Sequence, residues 1–550
     1  MRRLSISLFT MAILLGLIGC DQLPLGYKAG SKIHVTYQTI YGTAPEQISR
    51  VIDPETGVSN LTYTNDILPS LDNYTLSDGQ VAEFGGWQKD GTKVTEGAPI
   101  GSNDVLNAIW NTKVGYQGEI TYTTGQQLVP TPTAKVVFDQ NEAGTYGRSK
   151  SRIPTLLVLP NGTLLAFADR RYEGSGDIEG DDTTKVEVWC KRSEDNGNTW
   201  KDPVRVTPQT SGLKTSYGDA GVVYDKTTGH ILALVIGQNG LWYGTPEDPS
   251  HIWVVRSKDE GCTWEAPVDI THFIFGKDCQ DPVRKNWGAG FVASGNGTQL
   301  SSGRLIFSIA VRTTSVADGK KSGQTQNFAL FSDDGGYTWQ LSDNSPTANG
   351  QKGESGLTGY GDEAKITELS DGRLYMQIRP NNSPTWERNI SYSYDQGKTW
   401  TDAVADAQLP SSASNGDLMY YTSTTAGWDK DRLLCAFDTQ PFSGTNKMDE
   451  VLGKNGNPLG KVVVSNNPEK NPKLGYPALF ISYDNGKTWQ GRIWHEGDSA
   501  YSSFNILSDG SIGVLVEHGS SWGNGKIYFF RTNVEWITNG KDTGPVRVKK

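Results

Sequence analysis

One eight-residue phrase, Ser-x-Asp-x-Gly-x-Thr-Trp, occurs five times in this chain. The copies are SEDNGNTW from Ser193, SKDEGCTW from Ser257, SDDGGYTW from Ser332, SYDQGKTW from Ser393 and SYDNGKTW from Ser482. A phrase that returns in this way marks a repeat architecture, with one supersecondary unit per period. Within it, Asp accepts hydrogen bonds from the backbone N–H groups of a tight turn, and Gly supplies a conformation that a β-carbon opposes. Thr-Trp then starts the next strand with apolar weight. Each copy therefore reads as a turn that an aromatic side chain pins to the sheet below. Between the copies lie short strands such as Thr155–Leu159, Thr163–Ala168, Lys185–Trp189, Ile231–Val235, Arg304–Ile309, Arg373–Ile378 and Ser511–Val516, bounded by Gly, Asn, Asp or Pro. Asn161-Gly162, Asp371-Gly372 and Asp509-Gly510 are hairpin signals. About four strands per period, with five marked periods and one unmarked at the ends, predict an all-β fold, a β-propeller of six blades.

The bulk of the chain agrees with such a fold. Its 550 residues include 64 Gly, 16 Trp and 23 Tyr, which suits a large, turn-rich β protein with space for a second module. A formal net charge of −10 argues against a nucleic-acid partner. An anionic ligand would have to be attracted by a local cluster of cations, because the global field opposes it. The six His form no metal-ligand spacing, and no phosphate loop or dinucleotide fingerprint is present, so neither a metal nor a cofactor is expected.

Residues 1–20 read as a targeting segment. Arg2-Arg3 is a basic start, Leu4–Ile18 an apolar run, and Gly19-Cys20 stands where that run stops. This resembles a bacterial lipoprotein signal, which implies cleavage before Cys20, lipid on its sulfur, and an exported protein held at the cell envelope and exposed on the surface. No second long apolar run follows, so a membrane-spanning mature chain is not expected. Cys190, Cys262, Cys279 and Cys435 show no CxxC spacing, and their pairing is open at this level.

Residues 28–115 carry no copy of the phrase. Ile67-Leu68-Pro69, Phe84-Gly85-Gly86-Trp87, Asp90-Gly91 and Ala108-Ile109-Trp110 resemble a small β-grasp repeat of bacterial surface proteins, in which Gly-Trp and Ala-x-Trp pack one core. The resemblance implies a spacer or adhesion module without chemistry. Val114–Pro132 reads as a polar connection that contains the closing strand of the propeller, which is expected over 116–550.

Ser151-Arg152-Ile153-Pro154, then Ala168-Asp169-Arg170-Arg171, with the five phrases downstream, resemble the sialidases (neuraminidases) over most of Gly147–Gly519. These enzymes act on sialic acid, a sugar whose anomeric carbon bears a carboxylate, and a planar carboxylate is best clamped by guanidinium forks. The resemblance implies that Arg152 and Arg379 belong to such a clamp and that Glu517 orients Arg152. It places Arg171 and Asp219 beside the sugar ring. Asp177 takes the place of the general acid/base, Tyr501 of the nucleophile and Glu363 of its base. Sialidases with a Tyr nucleophile are a known exception to the two-carboxylate scheme of glycosidases. The reason is charge: a neutral phenol approaches an anionic centre without repulsion, but its ordinary pKa of about 10 means that a neighbouring base must take the proton.

One departure stands out. The family has a third clamp arginine shortly before the last phrase, yet this chain has no Arg between Arg432 and Ser482. Lys473 lies nearest the expected place, with Phe442–Asn471 as another source of the missing group. Lysine keeps the charge and loses the fork. The resemblance implies an exo-α-sialidase acting on sialylated glycans or glycoproteins with retention of configuration. A trans-sialidase would share every residue named. A sialic-acid-binding propeller without turnover would be expected to lack one of Asp177, Glu363 and Tyr501.

Overall fold

The computed structural model describes residues 32–39, 41–51, 62–75, 81–89, 92–101, 103–130, 135–140, 142, 147, 149–178, 183–313, 325–348, 361–380, 387–412, 414–439, 451–452, 456–457, 476–494, 499–518 and 525–548. The chain divides into two compact units, Met1–Thr112 and Lys113–Lys550.

In the first unit, Lys32–Gln38 pairs antiparallel with Ile48–Val51 and parallel with Asn103–Asn111. Val81–Lys89 joins Asn103–Asn111 on the other side, antiparallel. Trp87 and Trp110 are both buried in one core with Tyr37, Tyr63 and Leu106, and Phe84 lies edge-on to each at 5.5 and 5.6 Å. Asp90-Gly91 and Met1–Cys20 fall outside the described residues.

The described residues of the second unit form six sheets, antiparallel except for two short parallel pairs, at Gly221–Gly295 and Val451–Gly491. Their first strands are Ser149–Val158, Tyr217–Asp225, Ala289–Val292, Ala364–Glu368, Gly416–Thr422 and Ser499–Ile506, and these inner strands contact one another around an axis. This is the expected six-bladed propeller. The sixth sheet, Ser499–Ile506, Ile512–His518 and Ile527–Thr532, takes its outer strand from Lys135–Phe138. The closing strand therefore lies just beyond Val114–Pro132, where it had been expected. Val137 and Phe138 supply the buried apolar face that closure needs, and no described residue of Val114–Pro132 is in a strand.

All five repeated phrases make the same turn between the third and fourth strands of the first five blades. In the first, Asp195 accepts from the Thr199 backbone N–H at 2.8 Å and from its hydroxyl at 2.6 Å, while Ser193 Oγ accepts from the Gly197 N–H at 2.9 Å. Gly197 has φ +80, and an added Cβ would lie 2.1 Å from Phe529 of the sixth blade. The phrase thus locks its own hairpin and also lets one blade approach its neighbour closely. The hairpin signals Asn161-Gly162, Asp371-Gly372 and Asp509-Gly510 each turn an inner strand into the second strand of its blade.

This connectivity positions the site. In an antiparallel pair the start of the first strand lies beside the end of the second. Arg152, Asp219 and Tyr501 fall at the starts of inner strands, and Glu363 falls immediately before one. Arg171 and Glu517 fall at the ends of second strands, and Arg379 just after one. All seven therefore converge on one rim of the propeller, and the repeated phrases turn at the other.

Candidate active site

Three inner strands break register where they carry site residues: between Arg152 and Thr155, between Gly218 and Gly221, and between Ser499 and Ser502. Bulges of this kind re-aim a side chain out of the regular alternation. Ile153 and Asp219 also take positive φ values of 61 and 55, which is costly for residues with a β-carbon.

Arg152 and Glu517 form a buried pair, with side chains 9% and 10% exposed. Arg152 Nη2 donates to Glu517 Oε2 at 2.9 Å, and the Ile153 backbone N–H donates to Oε1 at 2.6 Å. One carboxylate thus fixes both the guanidinium and the strained backbone beside it. The Arg152 guanidinium lies 5.1 Å from the centre of the Tyr501 ring. On the other side, Arg379 Nη1 donates to Tyr501 Oη at 2.9 Å and to Glu363 Oε2 at 2.6 Å. The Arg379 backbone N–H donates to the Glu363 carbonyl at 2.8 Å, so the two residues are tied by main chain and side chain.

Burial pushes the Tyr501 phenol well above its usual range, and the nearby Glu363 adds to this against the opposing pull of Arg379 and Arg152. At neutral pH it is a protonated phenol. Burial also raises the Glu363 carboxyl, against the pull of Arg379. A raised carboxyl pKa makes a better proton acceptor.

A second group gathers around Arg171. Its Nη2 donates to Asp169 Oδ2 at 3.0 Å, and its Nη1 pairs with Asp177 Oδ1 at 2.7 Å. The Asp219 backbone N–H donates to Asp169 Oδ1 at 3.0 Å. Burial raises the Asp169 carboxyl to about 6 and lifts Asp219 well above the ordinary range, helped there by Asp169 and Asp177. The Asp177 side chain is 62% exposed. Partial burial raises its carboxyl, but Arg171, Arg152 and Arg379 together bring it below the ordinary value.

The structure brings all eight candidate residues to this rim. Arg152, Glu517, Tyr501, Arg379 and Glu363 form one connected set; Arg171, Asp177 and Asp219 form the other, joined through Asp169. Asp169 was not singled out from the sequence. A charged residue closing the apolar run Leu164–Ala168, two positions before Arg171 and on the same strand face, is the signal that would have found it. Lys473 and the insertion to Asn471 lie outside the described residues. Arg388 is 2% exposed and is held by the Ser414 carbonyl at 2.9 Å and the Phe437 ring at 4.6 Å, which keeps it out of the clamp. Cys190, Cys262, Cys279 and Cys435 are free thiols.

Chemically, two guanidinium groups flank one phenol. A planar carboxylate held by Arg152 and Arg379 would bring the carbon that bears it next to the Tyr501 oxygen, with Glu363 one guanidinium away and an exposed carboxyl, Asp177, held by Arg171.

The sialidase of Micromonospora viridifaciens is 28% identical over 426 residues, covering 74% of this chain and 55% of that protein. The sialidase of Bacteroides fragilis is 26% identical over 397 residues, covering 68% of this chain and 61% of that protein. The chain thus spans a little over half the length of these relatives. The solved structure of a Hadza microbial sialidase, Hz136, shares the fold with a TM-score of 0.52 and 23% identity, over 70% of this chain and 66% of that one. Residues 162–514 match the BNR repeat-like domain, and the chain belongs to that family.

Proposed function

We propose that this protein is an exo-α-sialidase, releasing terminal sialic acid from glycans or glycoproteins with retention of configuration. The observation that carries the reading is the single Arg379 Nη1 shared by Glu363 and Tyr501, with Arg152 over the face of the same phenol. In this reading Arg152 and Arg379 hold the substrate carboxylate, which sets the anomeric carbon against Tyr501 Oη and converts attack into an intramolecular step. The Tyr501 oxygen bonds to the anomeric carbon as its proton passes toward Glu363, and Asp177 protonates the departing glycosidic oxygen. Asp177 then takes a proton from water, whose oxygen displaces Tyr501 while Glu363 returns its proton to the departing phenolate, completing a second inversion. Arg171, oriented by Asp169, and Asp219 line the ring side of the sugar.

The lowered Asp177 carboxyl fits the resting state, where three guanidinium groups act on it. A bound substrate carboxylate offsets that positive field and lets Asp177 hold the proton that an acid needs. Relatives that cover 74% and 68% of this chain carry the printed name sialidase, which supports the same reading. We place the protein at the cell envelope through lipid on Cys20, on the strength of the basic, apolar and Gly19-Cys20 pattern alone.

The experiment is to incubate the protein with a sialylated glycan in an NMR tube. The first-formed product is expected to be free α-sialic acid, which then mutarotates. An initial β-anomer contradicts retention. An anhydro sugar or a transferred sialyl group assigns the site to a trans-sialidase.

A further inference from the structure

Tyr501 lies within an inner strand, but Glu363 falls one residue before the strand Ala364–Glu368, outside its ladder with Leu374–Ile378. Its own blade reaches it through the Arg379 N–H, which donates to the Glu363 carbonyl at 2.8 Å. The residues just ahead of it are held by the third blade, from the strand Thr325–Ser332. The Gly361 N–H donates to the Thr325 carbonyl at 2.5 Å, and the Thr325 hydroxyl donates to the Gly361 carbonyl at 2.5 Å. Asn327 then takes both main-chain polar groups of Asp362. Its Oδ1 accepts from the Asp362 N–H at 3.1 Å, and its Nδ2 donates to the Asp362 carbonyl. Nδ2 also donates to Ser308 Oγ at 3.3 Å.

Asp362 carries this anchorage into the site. Its Oδ1 accepts from the Glu363 N–H at 2.8 Å, and its Oδ2 lies 3.5 Å from Arg379 Nε. One residue gripped by Asn327 therefore touches the Glu363 backbone and the guanidinium that the Glu363 carboxylate binds. Gly361 lets the two blades come this close, since an added Cβ would lie 2.6 Å from Asn327 Oδ1. Sealing the two blades together is not enough to explain the carboxamide. Ala329 and Phe331 of the third blade already pack with Ile366 and Met376 of the fourth in one apolar cluster. At the opposite rim, the Ser301 N–H and hydroxyl donate to the two carboxylate oxygens of Glu368 at 2.7 and 2.6 Å. That contact grips a side chain, whereas Asn327 grips the main chain next to Glu363.

We propose that Asn327 is a positioning residue for the reaction: its carboxamide fixes the Asp362 main chain, and Asp362 keeps Glu363 and Arg379 in the arrangement that lets Glu363 take the Tyr501 proton. The inference rests on the sialidase reading in calling Glu363 the base and Tyr501 the nucleophile. Asn327 is 0% exposed, so it acts through Asp362 and not on the sugar. Its own groups are paired in the folded chain, and removing them leaves the Asp362 N–H and carbonyl to find other partners or shift.

The test compares the two rims of one seam. Asn327→Leu keeps the volume and leaves both Asp362 groups unpaired. Asn327→Ala opens a small space bordered by those groups and the Ser308 hydroxyl, which a water can fill, so it keeps the fold if Asn327→Leu does not. Ser301→Ala weakens the same seam at the rim away from the site. Melting temperatures are measured first, then kcat and KM for an aryl sialoside well below each melt. In Asn327→Leu, kcat/KM should fall ~10-fold or more, within the ~10²–10⁴-fold that a general base contributes. Asn327→Ala should fall in the same direction by less, while Ser301→Ala should melt lower with kcat and KM unchanged. Wild-type kcat/KM in a folded variant at position 327, or equal losses at 301 and 327, overturns the inference and makes Asn327 part of the seam alone. Crystal structures of wild type and Asn327→Ala give a readout without turnover. The 2.6 Å contact between Glu363 Oε2 and Arg379 Nη1 should lengthen or break in the variant, and an unmoved Glu363 overturns the inference. A wild-type chain that releases no sialic acid would defeat the sialidase reading, while the crystal comparison would still decide whether Asn327 places Glu363.

Discussion

Arg379 Nη1 lies 2.9 Å from the phenol oxygen of Tyr501, and the same nitrogen lies 2.6 Å from Glu363 Oε2. One edge of a guanidinium thereby sets the distance between the proposed nucleophile and its proposed base, and offers a donor to an incoming carboxylate. That double duty depends on the planar fork, which a lysine cannot reproduce.

Arg379→Lys should therefore damage both steps. It keeps the positive charge but cannot hold Glu363, Tyr501 and substrate together, so kcat should fall and KM should rise. A loss in kcat/KM of at least ~10²-fold is expected if a charge-assisted hydrogen bond and the alignment it provides both disappear. Steady-state kinetics decide it: a rise in KM with kcat unchanged would mean that Arg379 binds substrate without arranging the nucleophile.

Asp177 is the exposed carboxyl paired with Arg171, and its proposed role is to protonate the leaving oxygen. Asp177→Asn should then be far more harmful with a natural sialoside, whose alcohol is a poor leaving group, than with an aryl sialoside whose phenol leaves unaided. The expected loss is ~10²–10⁴-fold for the former and much smaller for the latter. Equal losses on both substrates would assign Asp177 to holding Arg171 and nothing more.

The local features were legible in the sequence because their causes are local. The five repeated turns follow from one Asp, one Gly and one Thr within a few positions, and six blades follow from five marked periods and one unmarked at the ends. The closing strand was misplaced because Lys135–Phe138 pairs with Ile527–Thr532, at the far end of the chain, and short-range pattern does not report such pairing. The site residues lie as far apart as Arg152 and Glu517, separated by 365 positions, and only their resemblance to a family pattern linked them. Asp169 had no such guide. Its meaning depends on burial, and one buried polar residue looks like any other until the strands are assembled.

Glu517 holds Arg152 and the Ile153 backbone at once. Glu517→Gln leaves a buried guanidinium without its counter-charge, which typically costs ~3–5 kcal/mol. A lower melting temperature together with weaker binding of a sialic-acid analogue is expected. Full stability in the variant would show that Arg152 finds another anion.

The repeated turns make a pH-dependent contribution whose sign is fixed. Hydrogen bonds from the Thr199 hydroxyl and backbone N–H hold the Asp195 carboxyl down, to about 2. A depressed folded-state pKa adds stability that is complete above the ordinary value and is lost as pH falls through the folded one. The melting-temperature gap between wild type and Asp195→Asn should be constant near neutrality, narrow below an ordinary carboxylate pKa of about 4 and close near pH ~2. A gap that persists unchanged into that acid range would show that the charge contributes nothing.

The central claim is that Tyr501 forms the bond to the sugar. Protein treated with 2,3-difluorosialic acid, which loses fluoride from the anomeric carbon and turns over slowly, is digested and its peptides weighed. The account predicts one sialyl adduct on the peptide containing Tyr501, none in Tyr501→Phe, and a Tyr501→Phe protein that melts normally but has lost turnover. An adduct on any other residue, or near-wild-type turnover in Tyr501→Phe, would contradict it.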